Sequence, residues 1–160
     1  MISSQRSGPS ISNLFARTRT GIDGPALAGA AIRILIVDDI EAWHSIYIEV
    51  LRRQSDWQVV GVAQNGMEAV QKCWELKPDL VLLDVGLGRT DRLQLARQIR
   101  EVSPKSSILL VGTADPSQLA EIAQSIDADG YVIKRDLVLD LVPAVETVAK
   151  ERRSRGRSSS

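Results

Sequence analysis

The sequence predicts an α/β protein: a five-stranded, doubly wound parallel sheet flanked by helices, a three-layer α/β/α sandwich. Two observations carry this. Strand-like and helix-like segments alternate five times between residues 32 and 150, joined by short links. Strict alternation of this kind gives a parallel sheet with helices on both faces. In addition, three of the strands end on ionisable residues, and such sheets bind ligands beyond the carboxyl ends of their strands.

The first strand is IRILIV, Ile32–Val37, running into Asp38 and Asp39. A helix follows from about Glu41 to Gln54, with Trp43, Ile46, Tyr47, Val50 and Leu51 at helical spacing. Trp57–Ala63 reads as a strand, Asn65-Gly66 as a turn, and Met67 to Leu76 as a helix that Pro78 terminates. Leu80–Leu83 is four consecutive aliphatic residues, too short for a membrane span and suited to a strand buried on both faces; it ends on Asp84. The third helix spans about Asp91 to Val102, with Leu93, Leu95, Ala96 and Ile99 inward. Ile108–Val111 is the fourth strand, and Pro116 opens a fourth helix as a first-turn proline, reaching about Ile126. Tyr131–Ile133 is the fifth strand, ending at Lys134. Val138 to about Lys150 is the last helix, despite Pro143.

A formal net charge of zero conceals an uneven distribution. Residues 1–31 carry three arginines against Asp23, and residues 148–160 carry five basic residues against Glu151. The body between them has 12 basic and 18 acidic residues, net −6. An acidic body of this kind argues against specific DNA binding. The reading is a disordered N-terminal extension over 1–31, a folded domain over 32–150, and a disordered basic tail over 151–160, since both tails are Ser-, Gly- and Arg-rich. The stretch PALAGAAI is too short for an export signal and merges with the first strand. The single cysteine, Cys73, excludes an internal disulfide and reads as a small core residue. A cytoplasmic protein without membrane association is expected.

The acids define the chemistry. Asp38 and Asp39 after the first strand, Asp84 after the third and Lys134 after the fifth converge if those strands are neighbours. Clustered carboxylates repel one another unless a cation sits among them. Mg²⁺, a hard oxygen-seeking ion that favours one or two carboxylates plus a phosphoryl oxygen, is the natural partner. Lys134 would then meet the phosphoryl group, leaving Asp84 as a nucleophile that forms an aspartyl-phosphate. The plainer alternative is that Asp38 and Asp39 cap the first helix and Asp84 a turn. His44 reads as a surface or capping residue.

The segments ILIVDD, AQNGMEAV, PDLVLLDVGL and DADGYVIKR, in this order and spacing, resemble the receiver domain of two-component response regulators over about residues 32–150. The resemblance implies a flavodoxin-like, CheY-like sheet in strand order 2-1-3-4-5. It implies a phosphoryl group taken from the phospho-imidazole of a histidine kinase or a phosphotransfer protein. Asp84 is then the phosphoacceptor, Asp39 a direct Mg²⁺ ligand, Asp38 a ligand acting through metal-bound water, and the Gly86 carbonyl a further ligand. Lys134 is the phosphoryl-binding lysine and Tyr131 the aromatic switch. Output runs to a partner through the fourth helix, fifth strand and fifth helix. Such a module is a switch with no turnover beyond its own phosphorylation and dephosphorylation.

Several positions depart from the family. Gly88 and Arg92 stand where proline and glycine are usual, Asp127 where glycine is usual, and Arg135 where a proline often follows the lysine. The switch Ser/Thr falls on Gly112, with Thr113 one residue off; Thr113 is expected to supply the hydroxyl, because Gly112 cannot. A stand-alone receiver is the expected form. The rivals are a pseudo-receiver that binds its partner without phosphorylation, and a Mg²⁺-dependent small-molecule phosphotransferase or phosphatase. The latter is disfavoured because no second acid lies two residues beyond Asp84.

Overall fold

The structure, a computed structural model, describes residues 31–88 and 90–158. Strands β1 (Ile32–Val37), β2 (Trp57–Ala63), β3 (Leu80–Asp84), β4 (Ser107–Gly112) and β5 (Gly130–Ile133) form one parallel sheet in the order β2-β1-β3-β4-β5. Helices α1 (Glu41–Leu51), α2 (Gly66–Leu76), α3 (Arg92–Val102), α4 (Pro116–Ser125) and α5 (Leu137–Ser158) alternate with them, and a 3₁₀ turn over Lys134–Asp136 leads into α5. This is the parallel sheet that the alternation predicts, doubly wound in the strand order that the resemblance implies. The winding reverses between β1 and β3, and the register there sets Val37 opposite Leu83. It also pairs Asp84 with Val111 and Gly112 with Ile133, so the carboxyl ends of four strands share one edge.

Period-two alternation along the strands sorts the core into two layers. Leu35, Val37, Val81, Leu83, Ile108 and Leu110 pack against Ala69 and Cys73 of α2, Leu95, Ala96 and Ile99 of α3, and Ala123 of α4. On the other face, Ile34, Ile36, Leu82, Leu109 and Val132 meet Tyr47, Val50 and Leu51 of α1 and Leu141, Val145 and Val148 of α5. Every residue of β3 and β4 is buried, which is why these strands read as unbroken aliphatic runs. Burial pushes the Cys73 thiol up to about 12, so it is an inert core residue.

The helix starts follow their capping residues. Asn65 accepts the Glu68 amide at 2.8 Å at the head of α2, and Asp91 accepts the Leu93 and Gln94 amides at the head of α3. Asp115 forms a capping box with Gln118 at the head of α4, where Pro116 takes the first turn. At the opposite pole of the sheet, Asp79 accepts the Arg33 amide at 2.8 Å and Asp129 accepts the Ile108 amide at 2.9 Å, satisfying amides at the starts of β1 and β4.

Two expectations about the ends are revised or left open. The extension over 1–31 lies outside the described residues except for Ala31. The basic tail over 151–158 is not disordered: α5 continues unbroken to Ser158. Tertiary anchors outweigh its Ser/Gly/Arg composition. Arg152 reaches the Lys105 carbonyl and the Asp79 carboxylate, the latter at 3.1 Å, and Arg155 pairs with Asp129 at 3.4 Å. Pro143 sits inside α5 and withholds one amide from the helix ladder. The carbonyl it leaves belongs to Leu139, a residue that is 77% exposed.

Candidate functional site

Asp38 leaves β1 with its amide bonded to the Ala63 carbonyl, and the chain turns at once into α1. Its carboxylate is wholly buried and satisfied on both oxygens. Oδ1 accepts the Ile40 amide at 2.9 Å, while Oδ2 accepts the Tyr47 hydroxyl at 2.9 Å and the Lys134 ammonium at 2.8 Å. The residue at the N-cap of α1 is Ile40, with no side-chain cap, so neither Asp38 nor Asp39 plays the capping part. His44 turns back to the Asp38 carbonyl at 2.6 Å.

Asp84 ends β3, 4% exposed, and its Oδ1 lies 3.2 Å from the Lys134 ammonium. Gly86 comes close to it: a Cβ there would stand 3.4 Å from Oδ2, and the Gly86 backbone favours the charged form of the carboxylate. Asp39 is exposed. The three aspartates nevertheless converge, with one carboxylate oxygen from each lying within 4.8 Å of the others. Asp38, Asp84 and Lys134 make a buried group of net charge −1, and Asp39 adds a second uncompensated charge at the rim. Burial, and then the charge of Asp38, hold Asp84 above the usual carboxylate range against the opposing pull of Lys134. An all-oxygen set with surplus negative charge and one solvent-facing carboxylate suits a hard divalent cation.

Aromatic residues of α1 complete the wall. The Trp43 ring lies 4.8 Å from the Lys134 ammonium and 6.4 Å from the Tyr47 ring. Burial, reinforced by the Asp38 charge, raises the Tyr47 hydroxyl far above its ordinary value, so it remains a donor. Sequence reading placed Trp43 and Tyr47 on the apolar stripe of α1 and assigned neither to the site. The signal that could have found Tyr47 is its hydroxyl, which demands a partner when buried.

Asp38, Asp39, Asp84 and Lys134 therefore meet at one spot, with Gly86 beside them. Thr113 and Tyr131 are not among the residues that these hydrogen bonds and ion pairs tie together. Thr113 is exposed, one residue beyond the end of β4, and Tyr131 is 39% exposed on β5. Gly112 is buried, and its missing side chain is replaced by a neighbour: a Cβ there would overlap Val85 Cγ2 and lie 2.9 Å from Leu119 Cδ2.

The atypical loop residues find ordinary solutions. Arg92 opens α3 in helical conformation, its guanidinium donating to the Val85 carbonyl at 3.0 Å. Gly88 takes a left-handed φ of 47°. Asp127 holds a φ of 55°, the conformation for which glycine is usual and which aspartate tolerates. The bond between Lys134 and Arg135 is trans.

A topological switch point in a 2-1-3-4-5 sheet, with three acids and a strand-end lysine gathered at it, is the arrangement of a signal-receiver module. The family model of the response regulator receiver domain matches residues 34–146, and the chain belongs to that family. It is 34% identical over 105 residues to a protein-glutamate methylesterase/protein-glutamine glutaminase of Methanospirillum hungatei, covering 64% of this chain and 31% of that protein. It is 33% identical over 121 residues to the response regulator protein VraR of Staphylococcus aureus, covering 74% of this chain and 57% of VraR. A solved two-component response regulator of the LuxR family from Aurantimonas matches with a TM-score of 0.69 and 30% identity, over 76% of this chain and 87% of that one. The chain thus spans about a third to just over half the length of these curated relatives. The matched region is a receiver domain of two-component signalling, and one of these relatives carries the name of an enzyme, a methylesterase.

Proposed function

We propose that this receiver is a phosphorylation-dependent switch in which Asp84 accepts a phosphoryl group from a histidine kinase or phosphotransfer protein. The observation that carries this is the pairing of a buried, strand-end Asp84 with Lys134, inside a cluster of three converging carboxylates. Asp39 and Asp84 would hold Mg²⁺ directly, with the Gly86 carbonyl, and Asp38 through a bound water. When bound, the ion neutralises charge on the phosphoryl oxygens. In the transfer, an Asp84 carboxylate oxygen bonds to phosphorus as the P–N bond of the donor imidazole breaks, and the imidazole nitrogen keeps the electron pair. Lys134 receives one phosphoryl oxygen as a point charge. Later hydrolysis by water returns the carboxylate.

Output passes to a partner protein through the face made by α4, β5 and α5, with Thr113 as the switch hydroxyl and Tyr131 as the aromatic switch. Among the described residues no helix is long and apolar enough to cross a membrane, which accords with a cytoplasmic setting. A second reading, the pseudo-receiver, draws on one observation: Val85 fills the space at Gly112 where the family's hydroxyl side chain belongs.

Acetyl phosphate with Mg²⁺ decides between them. The intact mass should rise by one phosphoryl group in the native chain and remain unchanged in Asp84→Asn. No adduct on the native chain, with none formed from a phosphorylated kinase, favours the pseudo-receiver. An adduct that survives Asp84→Asn refutes the assignment of the acceptor.

A further inference from the structure

Lys134 must serve two masters if Asp84 is phosphorylated. In the present structure its ammonium lies 2.8 Å from Asp38 Oδ2 and 3.2 Å from Asp84 Oδ1. A phosphoryl group on Asp84 consumes that carboxylate's charge and offers a new anionic oxygen, towards which the ammonium shifts. The shift withdraws the cation from Asp38, whose carboxylate is 0% exposed and cannot turn to bulk water. A buried carboxylate stripped of its counter-charge is costly.

Tyr47 is placed to prevent that cost. Its hydroxyl already donates 2.9 Å to the same oxygen, Oδ2, that Lys134 holds. The ring is 1% exposed and wedged in the core between α1 and the sheet, so the donor cannot swing away. Oδ1 remains served by the Ile40 amide. Once Lys134 leaves, every lone pair that matters on Asp38 still has a donor. Trp43, 4.8 Å from the ammonium and half-buried, offers its ring face to Lys134 without fixing it to one acceptor.

We infer that Tyr47 is a positioning residue: its hydroxyl shares the charge of Asp38, which frees Lys134 to move to the phosphoryl group and tempers the pull of Asp38 on the divalent cation. This rests on the reading of Asp84 as phosphoacceptor. Removing the hydroxyl alone should then drive two affinities in opposite directions. Asp38 becomes more negative, so the cation binds more tightly. Lys134 becomes the only neutralising donor on Oδ2, so it is held back from the phosphoryl group.

The test is Tyr47→Phe in the full chain, with Mg²⁺ binding followed by tryptophan fluorescence and beryllofluoride binding followed at saturating Mg²⁺. Mg²⁺ affinity should rise and beryllofluoride affinity should fall, each by about three- to tenfold, the range expected from one charge-assisted hydrogen bond after partial compensation. Loss of a merely structural bond would weaken both or move neither, and either result overturns the inference. The native chain gives a second measurement that does not depend on the variant folding. It holds two tyrosines, so the Tyr47 ring-carbon resonance is identified by its survival in Tyr131→Phe. That resonance should shift when beryllofluoride is added to the Mg²⁺-bound protein, because Tyr47 gains sole hold of Oδ2. An unmoved resonance overturns the inference. If the native chain binds neither Mg²⁺ nor beryllofluoride, the phosphoacceptor reading fails first and the inference falls with it.

Discussion

Gly112 offers a quantitative test of how β3 and β4 meet beside the site. Gly112→Ala adds one methyl group at a position whose backbone conformation any residue accepts. The space is the obstacle: the new Cβ would overlap Val85 Cγ2 and lie 2.9 Å from Leu119 Cδ2. Leu119 is fully buried, so it cannot yield outward. Val85 is half-buried and can yield, at the cost of leaving its place against the core formed by α2, α3 and α4. Overpacking of this sort costs about 1–3 kcal/mol. With one partner mobile, about 2 kcal/mol is expected, equivalent to a fall of roughly 6–10 °C in Tm for a domain of this size. Thermal and urea unfolding, followed by far-UV circular dichroism, read the change. Val85→Ala in the same chain should recover at least half of the loss, because the two substitutions share one volume and cannot be additive. A Gly112→Ala chain within about 0.5 kcal/mol of native, or a double variant no better than the sum of its parts, refutes the interlock.

Two further outcomes are expected. Asp84 is held above its ordinary pKa by burial and by Asp38, so its native form binds protons more avidly than its unfolded form. Its contribution to stability is therefore present in full below the unfolded-state pKa and is lost as pH rises through the raised native value. In metal-free buffer, Asp84→Asn should accordingly unfold at a higher temperature than the native chain at pH 7, with the gain shrinking as pH falls towards the ordinary carboxylate range; a gain independent of pH would refute the assignment. Arg152→Ala removes the links to Lys105 and Asp79, and amide exchange over residues 153–158 should speed at least tenfold while β1 and β3 stay protected; unchanged exchange would show that the Arg152 links do not hold the segment.

The parts of this fold that were legible in the sequence are those set by local periodicity. β3 and β4 announced themselves as aliphatic runs because both their faces are covered, and the acids announced the site because each follows a strand directly. Residues 151–158 misled because composition reports on solvation, whereas the helix there is held by Asp79 and Asp129, far away in the chain. Asp127 was visible only as a missing glycine; that it keeps glycine's left-handed conformation is a backbone fact. Tyr47 and Val85 stayed hidden for a common reason. Each looks apolar along its own element and takes its part only through a residue on another: the Asp38 carboxylate in one case, the void at Gly112 in the other.

Asp79 sets a schedule for the growing chain. Its backbone carbonyl accepts the Ser107 amide and its side chain the Arg33 amide and the Arg152 guanidinium, so one residue joins β1, β4 and α5. Arg33 is translated 46 residues before it and Arg152 73 residues after it. At about 5–20 residues per second, the last of these partners arrives on the order of 4–15 s after Asp79 itself. For that interval β1, β3 and α2 can already be in place while the pole opposite the aspartate cluster remains unlatched. The end of the sheet that carries Asp38, Asp84 and Lys134 is thus complete in the chain before the final turns of α5 close the far end behind it.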